Sequence, residues 1–207
     1  MKVDWVPYSA SALVAGSIAL AMGGLLMPTV GDAGDSLRIV QQQDGRWLAV
    51  AAMYFGAAVA LTVGLPVVLT LLGPRGGRRG LLGTGLLAVG CIGTAGYAVL
   101  LVLFRALALS GSIEGGSLDT LTRDIGLGTF FAIWIAAFYL GEVFVAWGLL
   151  LAGSTPRWVP VMLLLHVASL PLSPVLPERL GAAAVLLVTV GLCGIGITAS
   201  NPTRPAR

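Results

Sequence analysis

The sequence predicts an all-α protein: a polytopic membrane helix bundle of six transmembrane helices with both termini in the cytoplasm. Of the 207 residues, 57% are apolar and only 10% are charged, whereas a soluble domain carries roughly a quarter charged residues. The mean hydropathy is +0.95. Short polar connectors divide the chain into six apolar runs, each near the length of about 20 residues that crosses a bilayer.

The six runs form one transmembrane domain over residues 1–207. In chain order they are predicted at about 7–30, 47–73, 80–109, 127–152, 159–174 and 181–199. The first run is longer than the apolar core of a cleavable signal peptide and begins close to Asp4, so we expect a retained helix. Pro171, Pro174 and Pro177 predict an irregular outer end for the fifth run, because proline removes a backbone donor.

Basic residues predict the orientation, since Lys and Arg are enriched in short cytoplasmic connectors. The connector between the second and third runs holds Arg75, Arg78 and Arg79. With that connector inside, seven of the 12 Lys and Arg residues are cytoplasmic and five are external. The expected location is the cell (inner or plasma) membrane, crossed several times, with the lipid bilayer as the main partner.

Rare residue types exclude several classes of function. Lys2 is the only lysine and precedes the first run, so no Schiff base can form within the membrane. His166 is the only histidine, which excludes bis-histidine haem ligation within one chain and HExxH zinc sites. Cys91 and Cys193 both lie in apolar runs, where packing is their expected role. We therefore predict no metal and no cofactor, and a non-catalytic protein rather than an enzyme.

The distribution of charge argues against nucleic-acid binding. The net charge is +3, and the basic residues are concentrated at membrane edges. A nucleic-acid interface uses a basic face with interleaved aromatic residues. No such face is present in the sequence, so no nucleic-acid partner is predicted.

Glu142 is the most informative residue, because it lies in an apolar run with no charge in the flanking turns. A charge at the centre of a bilayer costs about 2.5–3.5 kcal/mol on insertion scales, so Glu142 is expected to be neutral, partnered or beside a wet cavity. His166 is the expected partner. Counted from the connector 153–158 at 1.5 Å per residue, Glu142 and His166 lie roughly 16 and 12 Å deep.

Tyrosines extend this predicted site. Tyr139 precedes Glu142 by one helical turn, and Tyr54 or Thr62 of the second run could complete a hydrogen-bonded group. We predict that the site binds or transports a proton, a cation or a small amphipathic ligand. Two alternatives stay open: the Glu142–His166 pair merely fixes helix register, or the two side chains face different neighbours.

A second function follows from small residues, because helix association in lipid depends on close backbone approach. The alternative function is a non-catalytic accessory or scaffold subunit that binds partner membrane helices or forms a homo-oligomer. The predicted rows of close approach are Ala15, Ala19 and Gly23; Ala52, Gly56, Ala60 and Gly64; Gly90, Gly93 and Gly96; and Gly191, Cys193, Gly194 and Gly196.

Arg105 lies near the outer end of the third run. The favoured interpretation is an interfacial anchor, since the long side chain of arginine can carry its guanidinium to the membrane surface. A functional hypothesis is that Arg105 pairs with Asp124 or Asp119 across the outer mouth of the bundle.

Two sequence likenesses remain. Residues 51–56 match residues 136–141 at four of six positions, so a duplication that relates runs 2 and 3 to runs 4 and 5 is a hypothesis, with chance as the alternative. The segment 153–160, GSTPRWVP, is typical of small six-helix integral membrane proteins of uncharacterised actinobacterial families, which the chain resembles in topology and style. That resemblance implies an inner-membrane protein and supplies no catalytic residues.

Overall fold

The computed structural model describes residues 4–28, 33–113, 120, 123–172 and 183–201, which are mostly helical and contain no strand. The all-α class is therefore confirmed for the described chain. Its helices are α1 (Val6–Leu26), α2 (Ala33–Gln42), α3 (Asp44–Gly64), α4 (Pro66–Leu71), α5 (Gly77–Leu109), α6 (Ile125–Ala152), α7 (Trp158–Leu172) and α8 (Val185–Ser200). Lys2, Pro174 and Pro177, which entered the sequence predictions, lie outside the described residues.

Four helical segments are long and apolar enough to cross a membrane: α1, α3 continued by α4, α5, and α6. Only 39–44% of the residues in their apolar windows are buried, so many apolar side chains, such as Ile92 and Ile133, face outward. An extensive apolar surface favours hydrocarbon over water. The helices α7 and α8 are apolar but have only 15 and 16 residues, so the six-span topology stays a prediction.

The six apolar helices close into a ring. Each packs against the next along the chain, from α1 through α3, α5, α6 and α7 to α8, and α8 returns to pack against α1. Gly153 ends α6 with a φ of 61°, the left-handed conformation that commonly terminates helices. The short connector 153–157 then leads into α7, so α6 and α7 are neighbours with a closely defined register.

A break at Pro66 divides the second span into α3 and α4. Proline lacks an N–H and obstructs the preceding turn, which interrupts the backbone ladder there. The hydroxyl of Ser9 on α1 accepts a hydrogen bond from the N–H of Val67 at 3.2 Å and lies 3.0 and 2.9 Å from the carbonyl oxygens of Val63 and Gly64. Ser9 thus satisfies backbone groups that the helix would leave unpaired in hydrocarbon.

Close backbone approach between α5 and α6 depends on glycine. A Cβ atom on Gly83 would lie 2.5 Å from the backbone N of Val145, and one on Gly141 would lie 2.6 Å from the backbone N of Leu87. The predicted Gly90 also belongs to this seam, where its Cβ would lie 2.8 Å from Phe138 Cα. At these three glycines the helices α5 and α6 therefore lie so close that an added Cβ would collide with the facing helix.

The predicted rows in α1 and α3 are right at some positions and wrong at others. Ala15, Ala52 and Gly56 are exposed, whereas Gly23 and Gly64 are buried. The closest approaches are at Gly64, which its row includes, and at Gly16, which its row does not; their Cβ atoms would lie 2.5 Å and 2.7 Å from backbone atoms of the facing helix. In a chain this rich in alanine and glycine, four-residue spacing occurs on more than one helix face. Spacing alone therefore does not identify the face that packs.

The connector predicted at 31–46 contains α2, an amphipathic helix that the hydropathy pattern did not reveal. Val40 of α2 is fully buried and clusters with Trp47, Val50 and Leu101. The indole N–H of Trp47 donates to the carbonyl of Leu101 at 3.0 Å. This cluster ties α2 to the beginning of α3 and the second half of α5.

Candidate functional site

Glu142 and His166 form a buried pair within the bundle. The Nδ1 atom of His166 lies 2.8 Å from Oε2 and 3.1 Å from Oε1 of Glu142. Glu142 is fully buried and His166 is 7% exposed. The predicted meeting of these two residues therefore occurs, and the carboxylate reaches no solvent.

The local fold explains why the two side chains meet. Glu142 lies 11 residues before Gly153, and His166 lies eight residues after Trp158, at the two sides of the same short connector. Because α6 and α7 run in opposite directions from that connector, these positions fall at similar depth. The neighbouring Gly141 brings α6 against α5, so the Glu142 side is also enclosed.

Tyr139 joins the pair by stacking and not by the predicted hydrogen bond. Its ring lies 5.2 Å from the imidazole of His166 between centroids, with 21° between the planes. Within the described chain, the Tyr139 hydroxyl has no hydrogen-bond partner. The stack fixes the imidazole from one face while Glu142 fixes it from its edge.

Tyr54 and Thr62 do not extend the hydrogen-bonded group either. The ring of Tyr54 packs edge-on against Tyr97 at 5.7 Å. The hydroxyl of Thr62 donates to the carbonyl of Ala58 in its own helix at 2.7 Å. Tyr54 nevertheless lines the same cavity as Tyr139 and His166, so it is part of the site as a cavity-lining residue.

A cavity of about 410 Å³ lies inside the ring of helices, beside the Glu142–His166 pair. His166 lines this cavity, whereas Glu142 lies behind it and does not. The residues that line the cavity are Leu20, Gly24, Tyr54, Thr94, Tyr97, Trp134, Ile135, Phe138, Tyr139, His166, Ser169, Leu170, Ala184, Val185 and Val188.

Aromatic rings form much of the cavity wall, and the sequence did not single out two of them. Tyr97 and Trp134 stack at 5.4 Å with 27° between their planes. The indole N–H of Trp134 donates to the hydroxyl of Thr94 at 3.2 Å. The available signal was only that Tyr97 and Trp134 lie deep in apolar runs, which is equally typical of residues that face lipid.

Arg105 does not pair with Asp124, the partner predicted for it at the outer mouth. Arg105 bonds through Nε to Asp44, at the start of α3. Asp124 instead accepts a hydrogen bond from the backbone N–H of Leu127 at 2.7 Å and caps the beginning of α6, a common role for aspartate. The other predicted partner, Asp119, lies outside the described residues. Arg105 therefore links α5 to the beginning of α3.

The proposed duplication gains no clear support from the two matching segments. Tyr54 and Tyr139 both line the cavity. Gly56, however, faces open space, whereas the equivalent Gly141 is pressed against Leu87. The duplication stays a hypothesis.

The described residues contain no group of three His, Cys, Asp or Glu side chains arranged to hold a metal ion. Glu142 and His166 supply two such groups, and both are already engaged with each other. The chemistry open to this site is hydrogen bonding, proton exchange and contact with aromatic rings.

Comparison of the chain with protein-family models, with curated proteins and with solved structures found no match. The resemblance to small actinobacterial six-helix membrane proteins therefore stays a prediction from sequence style.

Proposed function

We propose that this chain is a multi-pass protein of the cell membrane, with six spans and cytoplasmic termini. The four long apolar helices support membrane insertion. The closed ring places α7 and α8 beside them as neighbours of the same bundle. Arg75, Arg78 and Arg79 favour a cytoplasmic position for the connector between α4 and α5.

This topology predicts which connectors react from outside the cell. In a background with Cys91→Ala and Cys193→Ala, a Ser112→Cys variant is expected to react with a membrane-impermeant maleimide on intact cells. Arg157→Cys is expected to react only after the cells are opened. Both positions are exposed, so access through the membrane decides the outcome. If only Arg157→Cys reacted on intact cells, the topology would be the inverse of the proposed one. If both variants reacted on intact cells, the proposed topology would be excluded.

We further propose that the cavity binds a small amphipathic ligand, with the Glu142–His166 pair as its polar anchor. The observation that carries the proposal is that a buried ionisable pair presents its histidine, His166, to an aromatic cavity of about 410 Å³. Ligand sites typically have about 300–1,000 Å³ of mostly apolar volume with a few convergent polar groups. An ionisable residue within a membrane is costly and marks functional sites.

The cavity favours an amphipathic ligand over a bare cation. The Glu142 carboxylate, the natural ligand of a cation, is fully buried behind His166 and does not line the cavity. A cation in the cavity would therefore lose its hydration without a carboxylate to replace it. The aromatic walls instead suit a ligand with an apolar body.

Filling the cavity is the direct test of ligand binding. Protein purified from host membranes is expected to carry a small molecule in near-equimolar amount, detected by solvent extraction and mass spectrometry. Ala184→Leu adds bulk at the cavity wall and should remove that molecule. Ala132→Leu makes the same change at an exposed site and should retain it. A wild-type extract indistinguishable from that of Ala184→Leu would contradict the proposal.

A second candidate function is an accessory subunit or homo-oligomer. Ala52 and Gly56, spaced four residues apart, are exposed on α3, and nothing lies within 4 Å of a Cβ placed on Gly56. Small residues at this spacing let a partner helix approach closely in lipid. Purification with a stoichiometric membrane partner, and without a small molecule, would favour this candidate over ligand binding.

A further inference from the structure

Several polar groups that can donate a hydrogen bond line the cavity. Nδ1 of His166 is engaged by Glu142, so Nε2 is the remaining nitrogen, and no described side chain or backbone group bonds to it. The hydroxyls of Tyr54, Tyr97 and Tyr139 also have no hydrogen-bond partner in the described chain. These four groups are available to a ligand.

The net charge of the Glu142–His166 pair determines whether Nε2 of His166 donates or accepts a hydrogen bond. No Lys, Arg or other carboxylate of the described residues bonds to the Glu142–His166 pair, and a net charge at this depth is costly. The pair is neutral when it holds two protons. One lies in the contact between Nδ1 and the carboxyl group, because a carboxyl O–H directed elsewhere would be buried without a described partner. The second proton is then on Nε2, whether the carboxyl is ionised or not. Nε2 therefore acts as a donor.

The remaining polar groups do not alter this balance. The hydroxyl of Thr94 donates to the carbonyl of Gly90, and that of Ser169 donates to the carbonyl of His166. No carboxylate of the described residues lines the cavity. A buried cationic ligand would have no counter-charge, whereas a neutral ligand with acceptor oxygens would satisfy the free donors.

The walls indicate the shape of the ligand. Tyr97, Trp134, Phe138 and Tyr139 present aromatic rings to the cavity, and such rings pack best against another flat ring. A cavity of about 150 Å³ already holds benzene. The present volume of about 410 Å³ therefore accommodates a substituted ring together with the beginning of a hydrocarbon tail.

Two lining residues indicate where that tail would leave. Ile135 on α6 and Leu170 on α7 line the cavity and are 39% and 44% exposed. The cavity therefore reaches the apolar outer surface of the bundle at these neighbouring helices. A ligand dissolved in the bilayer can approach from that side.

We infer that the cavity binds the headgroup of a membrane-dissolved quinone, which is a neutral planar ring with carbonyl oxygens on opposite sides. The His166 Nε2–H donates to one carbonyl, and tyrosine hydroxyls are available to the other. The inference rests on the proposed ligand-binding function and names the chemical class of the ligand. It concerns binding only and requires no redox step.

Two probes of nearly the same shape test the inference. Duroquinone is a tetramethyl quinone whose ring carbons are all substituted, and durene is the corresponding hydrocarbon without carbonyls. Calorimetric titration of the purified protein in detergent is expected to show about tenfold tighter binding of duroquinone, the effect of one to two hydrogen bonds. Protein-free micelles give the partition blank. Ala184→Leu should weaken the binding of both probes, and Ala132→Leu should weaken the binding of neither.

The double variant Glu142→Met/His166→Phe removes the polar anchor and keeps an apolar wall of similar volume. It is expected to bind both probes with about the affinity that durene has for the wild type. Equal affinities of the two probes in the wild type, both weakened by Ala184→Leu, would overturn the quinone inference and leave ligand binding intact. Heats that match the micelle blank in every variant would also overturn the quinone inference, whereas ligand binding itself fails only if the extracts of wild type and Ala184→Leu are indistinguishable.

Discussion

Replacing His166 alone with phenylalanine is expected to lower the free energy of unfolding by about 3 kcal/mol, whereas Glu142→Met/His166→Phe loses less than about 1 kcal/mol. The single change leaves Glu142 fully buried, with both oxygens deprived of the one partner that they have among the described residues. The double change removes the carboxylate as well and replaces both side chains by apolar groups of similar size. Such replacement of a buried ionic pair is often neutral or stabilising.

Equilibrium unfolding in mixed micelles measures this effect, and the two single variants with the double variant form a complete cycle. Glu142→Met alone should cost less than His166→Phe, because a neutral imidazole is easier to bury than a carboxylate. Leu140→Met, at a half-exposed site on the same helix, is the control for a change to methionine. Additive effects of the two single changes would show that the pair is not an energetic unit.

The meeting of Glu142 and His166 was predictable from sequence because it depends on register, which the short connector 153–157 constrains. Two antiparallel helices joined by a tight turn place positions at equal distances from the turn at similar depth. Register does not determine the rotation of each helix about its axis. The rotations of α6 and α7 turn these two side chains toward each other, although the sequence left the possibility open that they face different neighbours.

The cavity walls could not be predicted because helix rotation leaves little trace in these spans. A helix of a soluble protein has one apolar stripe that faces the core, but α5 and α6 are apolar on all sides. The sequence therefore does not distinguish a lipid-facing from an inward-facing position for Tyr97 and Trp134. The same ambiguity put Ala52 and Gly56 on an expected seam, although they are exposed.

Two other differences between the structure and the sequence predictions, at α2 and at Arg105, have local causes. α2 is too polar for a hydropathy pattern to reveal, and it is held in place by Val40, buried against Trp47, and by Leu37, packed against the same cluster. Arg105 pairs with Asp44 because α3 begins at Asp44, three residues before the predicted span. An acidic residue assigned to a connector was therefore overlooked as a partner within the bundle.

Gly83→Ala is expected to lower the free energy of unfolding by about 2–3 kcal/mol, the upper range for overpacking. The added Cβ would lie 2.5 Å from the backbone N of Val145, 2.8 Å from Phe144 Cβ and 2.9 Å from the carbonyl oxygen of Gly141. Backbone atoms cannot move aside as the end of a flexible side chain can. The helices α5 and α6 must separate, which loses dispersion contacts along the seam that holds this half of the ring together.

Gly85→Ala is the matched control, and the expected effect has the opposite sign. Gly85 lies two residues further along α5, is exposed, and would have nothing within 4 Å of its Cβ. Alanine there should add about 0.5 kcal/mol of stability, because glycine loses more backbone freedom when a helix forms. Both variants are compared by equilibrium unfolding in mixed micelles. Equal effects would mean that helix propensity, and not backbone approach at Gly83, determines the stability of this seam. A loss confined to Gly83→Ala would instead show that the bare backbone of α5 at Gly83 stabilises the contact with α6, the helix that carries Glu142.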